Sequence, residues 1–442
     1  MNDRIEPRTL KGFRDYLPEA MMPREHIIDT AKSVYRAYGF APIDTPALEY
    51  AEILIGKGGD ESDKQLYRFE DQGGRDVAMR FDLTVPLARF VAQHSGELGM
   101  PFKRYHVGPV WRGENTQRGR YREFVQCDFD TIGTESVLAD VETGLVIVDL
   151  LRALGFERFT VKVNNRRVLT GVLERLGLAD RALPVLRVLD KLAKVGPDGV
   201  AAELVKAAGT SDQQARAIVE LGEIARNPHE VLAALPALVE GSEVGARGVA
   251  ELGAVVEGML ANGVLASTLD VDVSTARGLD YYTGTVFETY LDALPGIGSV
   301  CSGGRYDDLA SVYTKQRLPG IGASLGVDRL LAAMDELGLV EHSRTPASVL
   351  VTQFDAEHWS EDLGLATQLR AAGLAVEVYP DARKIGAQLK YADRRGHRIV
   401  LIVGSRERAS GVVQLKDMTK GESRDVPRSD VVAACRAILA SG

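Results

Sequence analysis

"FKRYHVGPVWRGENTQRGRYREFVQCDFD" (Phe102–Asp130) reads as a strand, a polar loop carrying glycine, and a second strand. Between residues 101 and 122 six side chains are Lys or Arg, and Glu114 is the one acid, so the loop is strongly basic. Arg112 and Glu114 stand two positions apart, which on an extended backbone turns both to one face. A guanidinium donates in a rigid fork that matches phosphate oxygens, and the loop "NTQRGR" has the reach to meet a larger polyanion. A solvated hairpin would show the same composition, so this segment alone leaves both readings open. It is not a Walker-type phosphate loop, having no GKS or GKT.

Three other segments carry comparable groupings. In "MRFDLT" (Met79–Thr84), alternation would turn Arg80, Asp82 and Thr84 to one side, and a carboxylate beside a hydroxyl suits an ammonium group. A plain surface strand face is the alternative. "RGLDYYTGTVFETY" (Arg277–Tyr290) gathers Arg277, Asp280, Tyr281 and Tyr282 at the lip of a strand. Shortly after it, "GGRYD" (Gly303–Asp307) reads as a tight glycine bend that lets backbone approach a ligand, with Arg305 and Tyr306 near its mouth. Ordinary hairpin chemistry explains that pair as well. "PGIGASLGVDRLLAAM" (Pro319–Met334) is a glycine-rich strand feeding a helix. It sets Arg329 in the first helical turn, where a cation is misplaced unless an anion or a partner such as Asp328 or Glu336 is also there.

The chain of 442 residues exceeds what one core usually serves, so two or three domains are expected. Hydrophobic residues make up 45% and charged ones 26%, an ordinary globular profile. No apolar run approaches the roughly eighteen residues of a membrane span. The N-terminal stretch has no apolar signal region, and secretion is not expected. Cys127, Cys301 and Cys435 lie far apart and fit a reducing cytoplasm rather than a disulfide framework. The seven histidines are scattered without metal-ligand spacing. Residues 19–38 read as an amphipathic helix stopped by Gly39. No Phe, Trp or Tyr occurs between Phe159 and Tyr281, and residues 170–260 read as a helical domain inserted into the main one. "EHSRTPAS" (Glu341–Ser348) reads as a linker, and the strands and helices that alternate after it predict a compact α/β domain. Net charge is -9, yet residues 347–442 hold 14 basic and 12 acidic side chains. A mildly basic appendage on an acidic body suits a module that touches a polyanion, though ordinary scatter of surface charge would give the same balance.

Taken together these segments resemble the class II aminoacyl-tRNA synthetases and, within them, the histidyl-tRNA synthetase family, over almost the whole chain. "GFAPIDTPALEYAEIL", with Pro46, resembles motif 1, "VWRGENTQRGRYREFVQ" motif 2 and "GIGASLGVDRLL" motif 3. Those are class-level signals; "RGLDYYTG" and "GGRYD" resemble the two more specific histidine signatures. The resemblance implies an α+β fold. A class II catalytic domain (1–340) would be built on an antiparallel sheet with a helical insertion at 170–260. A C-terminal α/β anticodon-binding domain (347–442) would follow.

The same resemblance implies an ATP-dependent ligase that joins L-histidine to tRNA(His) through histidyl-adenylate and the terminal 3′-OH, with Mg2+ on the ATP phosphates, in a cytoplasmic homodimer. It assigns Arg112 and Arg277 to the α-phosphate, Arg329 to the γ-phosphate, and Glu114 to the adenine and ribose side. It assigns Asp82 to the substrate's α-amino group, with Thr84 and Gln126 nearby, and Tyr281, Tyr282 and Tyr306 to the imidazole pocket. Asp130 stands where the family usually has glutamate, one methylene longer. Arg277→Ala is expected to keep folding and histidine binding but to lose adenylate formation. A non-catalytic relative, the regulatory subunit of ATP phosphoribosyltransferase, shares the synthetase core. Such proteins commonly lack the full histidine signature and the C-terminal domain that this chain carries.

Overall fold

The basic hairpin forms from strands Phe102–Trp111 and Glu123–Ile132, paired antiparallel from Phe102 opposite Ile132 to Trp111 opposite Glu123. The structure is a computed structural model and describes residues 4–56, 63–189, 192–221, 227–275, 281–340 and 342–441. Pairing runs one step past the strand ends, where the Arg112 N–H donates to the Arg122 carbonyl at 2.9 Å. Alternation divides the second strand. Cys127 and Phe129 face Tyr35 of the helix Pro18–Ala37: the Tyr35 hydroxyl donates to the Cys127 carbonyl at 3.0 Å, and its ring centroid lies 5.0 Å from that of Phe129. Gln126, Asp128 and Asp130 are thereby left to the opposite face.

The hairpin belongs to an eight-stranded sheet. Its order is Ala41–Pro42, Phe102–Trp111, Glu123–Ile132, Gly320–Gly326, Cys301–Tyr306, Thr285–Leu291, Phe159–Asn165 and Leu269–Val271. The two edge pairings are parallel and the inner ones antiparallel. Register lines up Asp128, Ser324, Ser302 and Glu288 across four neighbouring strands, with Asp130, Gly322 and Gly304 in the next row. "GGRYD" is therefore not a bend: Gly303 and Gly304 sit inside a central strand. A Cβ on Gly303 would stand 2.1 Å from the Gly322 carbonyl oxygen, so close packing of strands requires glycine here. Arg305 leaves the bend's supposed mouth as well; it is buried against Asp140, with Nε 3.1 Å from Oδ1.

A second, three-stranded sheet pairs Leu48–Tyr50, Asp76–Met79 and Arg68–Glu70. "MRFDLT" departs from the expected strand. The strand stops at Met79, and Thr84 opens the helix Thr84–His94. Arg80 accordingly does not share a face with Asp82; its buried guanidinium donates through Nε to the Pro109 carbonyl at 3.0 Å.

Residues 166–261 are mostly helical, as the aromatic-free stretch suggests. The outer helices, Arg166–Arg175 and Glu243–Ala261, press together: a Cβ on Gly171 would lie 2.4 Å from the Cα of Gly245. The second of them also packs on Val137–Ala153, where Gly144 leaves room for Met259. By its internal packing the chain divides into two units. One holds residues 26–339 with the segment to Arg14; the other holds 15–25 and 340–442.

In the second unit the five-stranded sheet runs Val376–Val378, Val349–Val351, Ile399–Ile402, Val412–Asp417, Ser423–Pro427. The first three are parallel and the last two antiparallel additions. Val349, Val351, Ile399 and Leu401 pack under the helices Trp359–Ala371 and Val431–Leu439. Leu350, Val400 and Ile402 pack on the other face with Ala392 of Ile385–Arg395. Helices on both faces explain strands that are apolar at every position. Among the described residues no helix is long and apolar enough to cross a membrane, and the three cysteines are buried and form no disulfide.

Candidate active site

The polar row on the large sheet floors a cavity of about 240 Å³, lined by Asp82, Thr84, Arg112, Gln126, Asp128, Asp130, Tyr281, Tyr282, Glu288 and Tyr306 among others. A neighbouring cavity of about 150 Å³ is lined by Arg112, Glu114, Arg120, Tyr121, Phe124, Asp328 and Arg329 among others. Arg112, Gln126, Ser302 and Ser324 belong to both. The first is acidic and aromatic; the second brings three arginines together. Arg277 and Asp280 lie outside the described residues.

Asp82 is buried at the N-terminal end of the helix Thr84–His94, where its Oδ1 accepts the Val85 N–H at 3.0 Å. The Tyr281 hydroxyl lies 3.4 Å from its other oxygen. Burial pushes the Asp82 pKa up, while the Val85 N–H and the Arg112 charge oppose the shift. Arg112 is fixed by donation from Nε to the Phe81 carbonyl at 2.9 Å and by the ring of Phe124, 5.2 Å from its guanidinium carbon. Gln126 donates to the Ser324 hydroxyl at 2.8 Å.

Asp130 is engaged from two sides. The Tyr306 hydroxyl donates to its Oδ1, and Nη2 of the fully buried Arg104 stands 2.6 Å from its Oδ2. Arg104 and Asp130 face each other directly across the hairpin. Glycine makes room for the acid: a Cβ on Gly322 would lie 2.2 Å from Asp130 Oδ1. Asp128, one row along, has its pKa raised to about 7, first by burial and further by the neighbouring Asp130, against the pull of Arg104. Tyr281, Tyr282 and Tyr306 pack edge to face, with centroids 5.1 Å apart for the first two and 5.9 Å for Tyr281 and Tyr306. Burial raises the pKa of all three phenols, so they stay protonated donors.

The second cavity is braced from several directions. Asp328 Oδ2 accepts the Val125 N–H at 3.0 Å, which seats the first turn of the helix Val327–Glu336 on the hairpin. Arg329 donates from Nη1 to the Ser299 carbonyl. Glu114 lies 3.4 Å from Arg120, and Arg118 at the loop tip reaches Glu336 at 2.7 Å. Gly119, with φ 68°, packs against Arg329, and a Cβ there would lie 3.2 Å from the Arg329 Cα. Arg14 stacks on Tyr121, 4.0 Å from its centroid, and reaches Asp328 at 3.4 Å.

The structure thus gathers Asp82, Thr84, Gln126, Asp130, Tyr281, Tyr282 and Tyr306 around one cavity, and Glu114 and Arg329 around the next, with Arg112 common to both. Arg14, Arg104, Asp128, Ser302, Ser324 and Glu288 escaped the sequence reading. The "QCDFD" alternation could have signalled Asp128, since it shares a face with Gln126 and Asp130. The others depend on which strands become neighbours.

Residues 12–330 match the family model "Histidyl-tRNA synthetase", and residues 348–438 match "Anticodon binding domain". A protein named histidine–tRNA ligase from Rhodopirellula baltica is 60% identical over 425 residues, 96% of each chain. One of the same name from Wolinella succinogenes is 47% identical over 444 residues, 98% of each. Among solved structures, a histidyl-tRNA synthetase from Nostoc sp. PCC 7120 superimposes with a TM-score of 0.89 at 35% identity, covering 98% of this chain and 100% of that one. A Bacillus halodurans structure described as an ATP phosphoribosyltransferase regulatory subunit/histidyl-tRNA synthetase gives 0.74 at 26% identity, covering 88% and 97%. Near-full-length identity to the ligases does not favour the non-catalytic relative.

Proposed function

This chain belongs to the histidyl-tRNA synthetase family, with a class II synthetase fold, and from that premise we propose how its residues divide the work of a histidine–tRNA ligase. The activity is ATP-dependent joining of histidine to tRNA. The reading of the site rests on one observation: Arg112 lines both the acidic, aromatic cavity and the arginine-lined one.

Histidine occupies the first cavity. Asp82 holds its ammonium group, with Thr84, Gln126 and the Tyr281 hydroxyl close by. Asp130, Tyr282 and Tyr306 surround the imidazole. ATP occupies the second cavity, with Glu114 toward the adenine and ribose and Arg329 on the γ-phosphate. The substrate carboxylate then meets the α-phosphorus at Arg112, and Arg277, from the family resemblance alone, is proposed beside the same phosphate. No protein nucleophile is needed. The chain's part is to hold two anions in line and to balance charge developing on the phosphoryl oxygens. Mg2+ is proposed to come with ATP, held mainly through its phosphates, and would supply positive charge against the leaving pyrophosphate.

The catalytic domain is proposed to span 1–340, with its insertion at 170–260, and the anticodon-binding domain 347–442. The loop "NTQRGR", with Arg118 and Arg120 well exposed, and the helix Ile385–Arg395 are proposed to meet tRNA(His). Leu48, Tyr50 and Phe69, exposed on the three-stranded sheet, support a homodimer, and the compartment proposed is the cytoplasm. ATP–pyrophosphate exchange tests the central claim. Histidine should drive it while threonine and proline do not, and Arg112→Ala should slow it about 100- to 1000-fold. Equal exchange with threonine, or an unimpaired Arg112→Ala, would overturn the assignment.

A further inference from the structure

Behind the tyrosine wall of the first cavity lies a set of charged side chains with no part in the roles above. Thr283, next to Tyr282, is its link to the wall. The Thr283 hydroxyl donates to Asp307 Oδ2 at 2.9 Å and accepts the Asp307 N–H at 3.1 Å, while the Thr283 N–H donates to the Arg305 carbonyl at 2.8 Å. Asp307 is in turn held on both oxygens, by Arg167 Nη2 at 3.1 Å and by Arg305 Nη1 at 3.3 Å. Arg167 bonds Glu251 through its other nitrogen. Next to it, Arg166 donates to the Tyr282 carbonyl at 2.9 Å.

Arg167 opens the helix Arg166–Arg175 and Glu251 sits on Glu243–Ala261, the two close-packed helices through which the chain leaves and re-enters the helical region. The Tyr281–Thr283 segment belongs to no strand or helix, since the strand starts only at Thr285. Its position therefore depends on side-chain bonds more than on a ladder. These bonds are charge-assisted and largely buried, where removing one partner is costly.

We propose that Thr283, Asp307 and Arg167 are positioning residues for the amino-acid pocket, tying the Tyr281–Tyr282 wall to the stem of the helical region. The proposal rests on that cavity being the histidine site. None of the three lines the cavity, so their loss should act through the wall alone.

Steady-state exchange on the full-length chain tests this. Thr283→Val should raise the KM for histidine about tenfold and leave the KM for ATP and kcat nearly unchanged, and Thr283→Ser should restore it. Arg167→Met should do the same, and Thr283→Val with Arg167→Met together should be no worse than either alone, because both break one linkage. An unaltered KM for histidine in both single variants would overturn the proposal. So would a uniform fall in kcat, with both KM values moving, that tracks a lower melting temperature. Should Thr283→Val fail to fold, Arg167→Met and Thr283→Ser still separate these outcomes. Asp82→Ala serves as the control for the underlying reading. If it leaves histidine exchange intact, the pocket is misassigned; if it abolishes exchange while the linkage variants behave as wild type, only the linkage is wrong.

Discussion

Asp128 carries a cost that the fold accepts. Its folded pKa of about 7 lies well above the ordinary aspartate value of 3.8, chiefly because of burial, so folding favours its protonated form. Below the unfolded pKa the acid is protonated in both states and stability is unaffected. As pH rises toward 7 the folded state resists ionisation and stability falls; beyond that the full penalty persists. Asp128→Asn should therefore stabilise the ligand-free protein by about 1–4 kcal/mol at pH 8 and by almost nothing at pH 4. Urea melts of both proteins across that range would check it, and a difference independent of pH would refute it. At this scale the sequence was legible where a grouping is local to its motif: Arg112, Glu114 and Arg329, singled out by their own segments, line one cavity. It was opaque where the partner lies far along the chain. Arg104 looked like one more charge in a basic hairpin, yet it is fully buried against Asp130. Arg305, read at a ligand's edge, pairs with Asp140 165 positions away.

Glycines decide how the strands meet under the site. Gly322 has Asp130 Oδ1 2.2 Å and the Phe129 carbonyl oxygen 2.3 Å from where a Cβ would stand, and neither the strand backbone nor an acid pinned by Tyr306 and Arg104 yields easily. Gly322→Ala should destabilise the protein by about 1–3 kcal/mol and lower kcat/KM for histidine at least about tenfold, read from urea melts and exchange kinetics. A variant with wild-type stability and KM would show that the sheet relaxes there. The element-level reading succeeded for the hairpin, the helix expected at 19–38 and the helical stretch, because each has its own periodicity. It failed at "GGRYD", where two glycines signal a turn locally but serve close strand packing, and at "MRFDLT", where alternation runs straight through a strand end into a helix start. The strand Ser423–Pro427 also escaped, being a mostly exposed, polar edge that ends in proline.

At the scale of the whole molecule, two chemistries of different salt sensitivity share one chain. Histidine activation is proposed for the cavities on the large sheet, and tRNA binding for exposed cations on the "NTQRGR" loop and on the helix Ile385–Arg395, which ends in Arg394 and Arg395. The α/β rhythm of the last hundred residues and the change of composition at the linker were readable because short buried strands and polar breaks are local signals. How charge is spread over each surface was not, since a count of Lys and Arg does not tell paired from exposed: Arg408 is paired with Asp362 and Arg398 with Asp417. Cations bound to phosphates release counterions, so log KM for tRNA should climb linearly with log salt, by about 0.7–0.9 per phosphate contact. Between about 50 and 200 mM KCl, ATP–pyrophosphate exchange without tRNA should change far less, because buried charge pairs are weakly screened. Arg394→Ala should reduce the aminoacylation slope by about one contact and leave exchange alone. Parallel salt dependence of both reactions would instead place the sensitive charges in the activation site, and an unchanged slope in Arg394→Ala would remove that helix from the proposed tRNA surface.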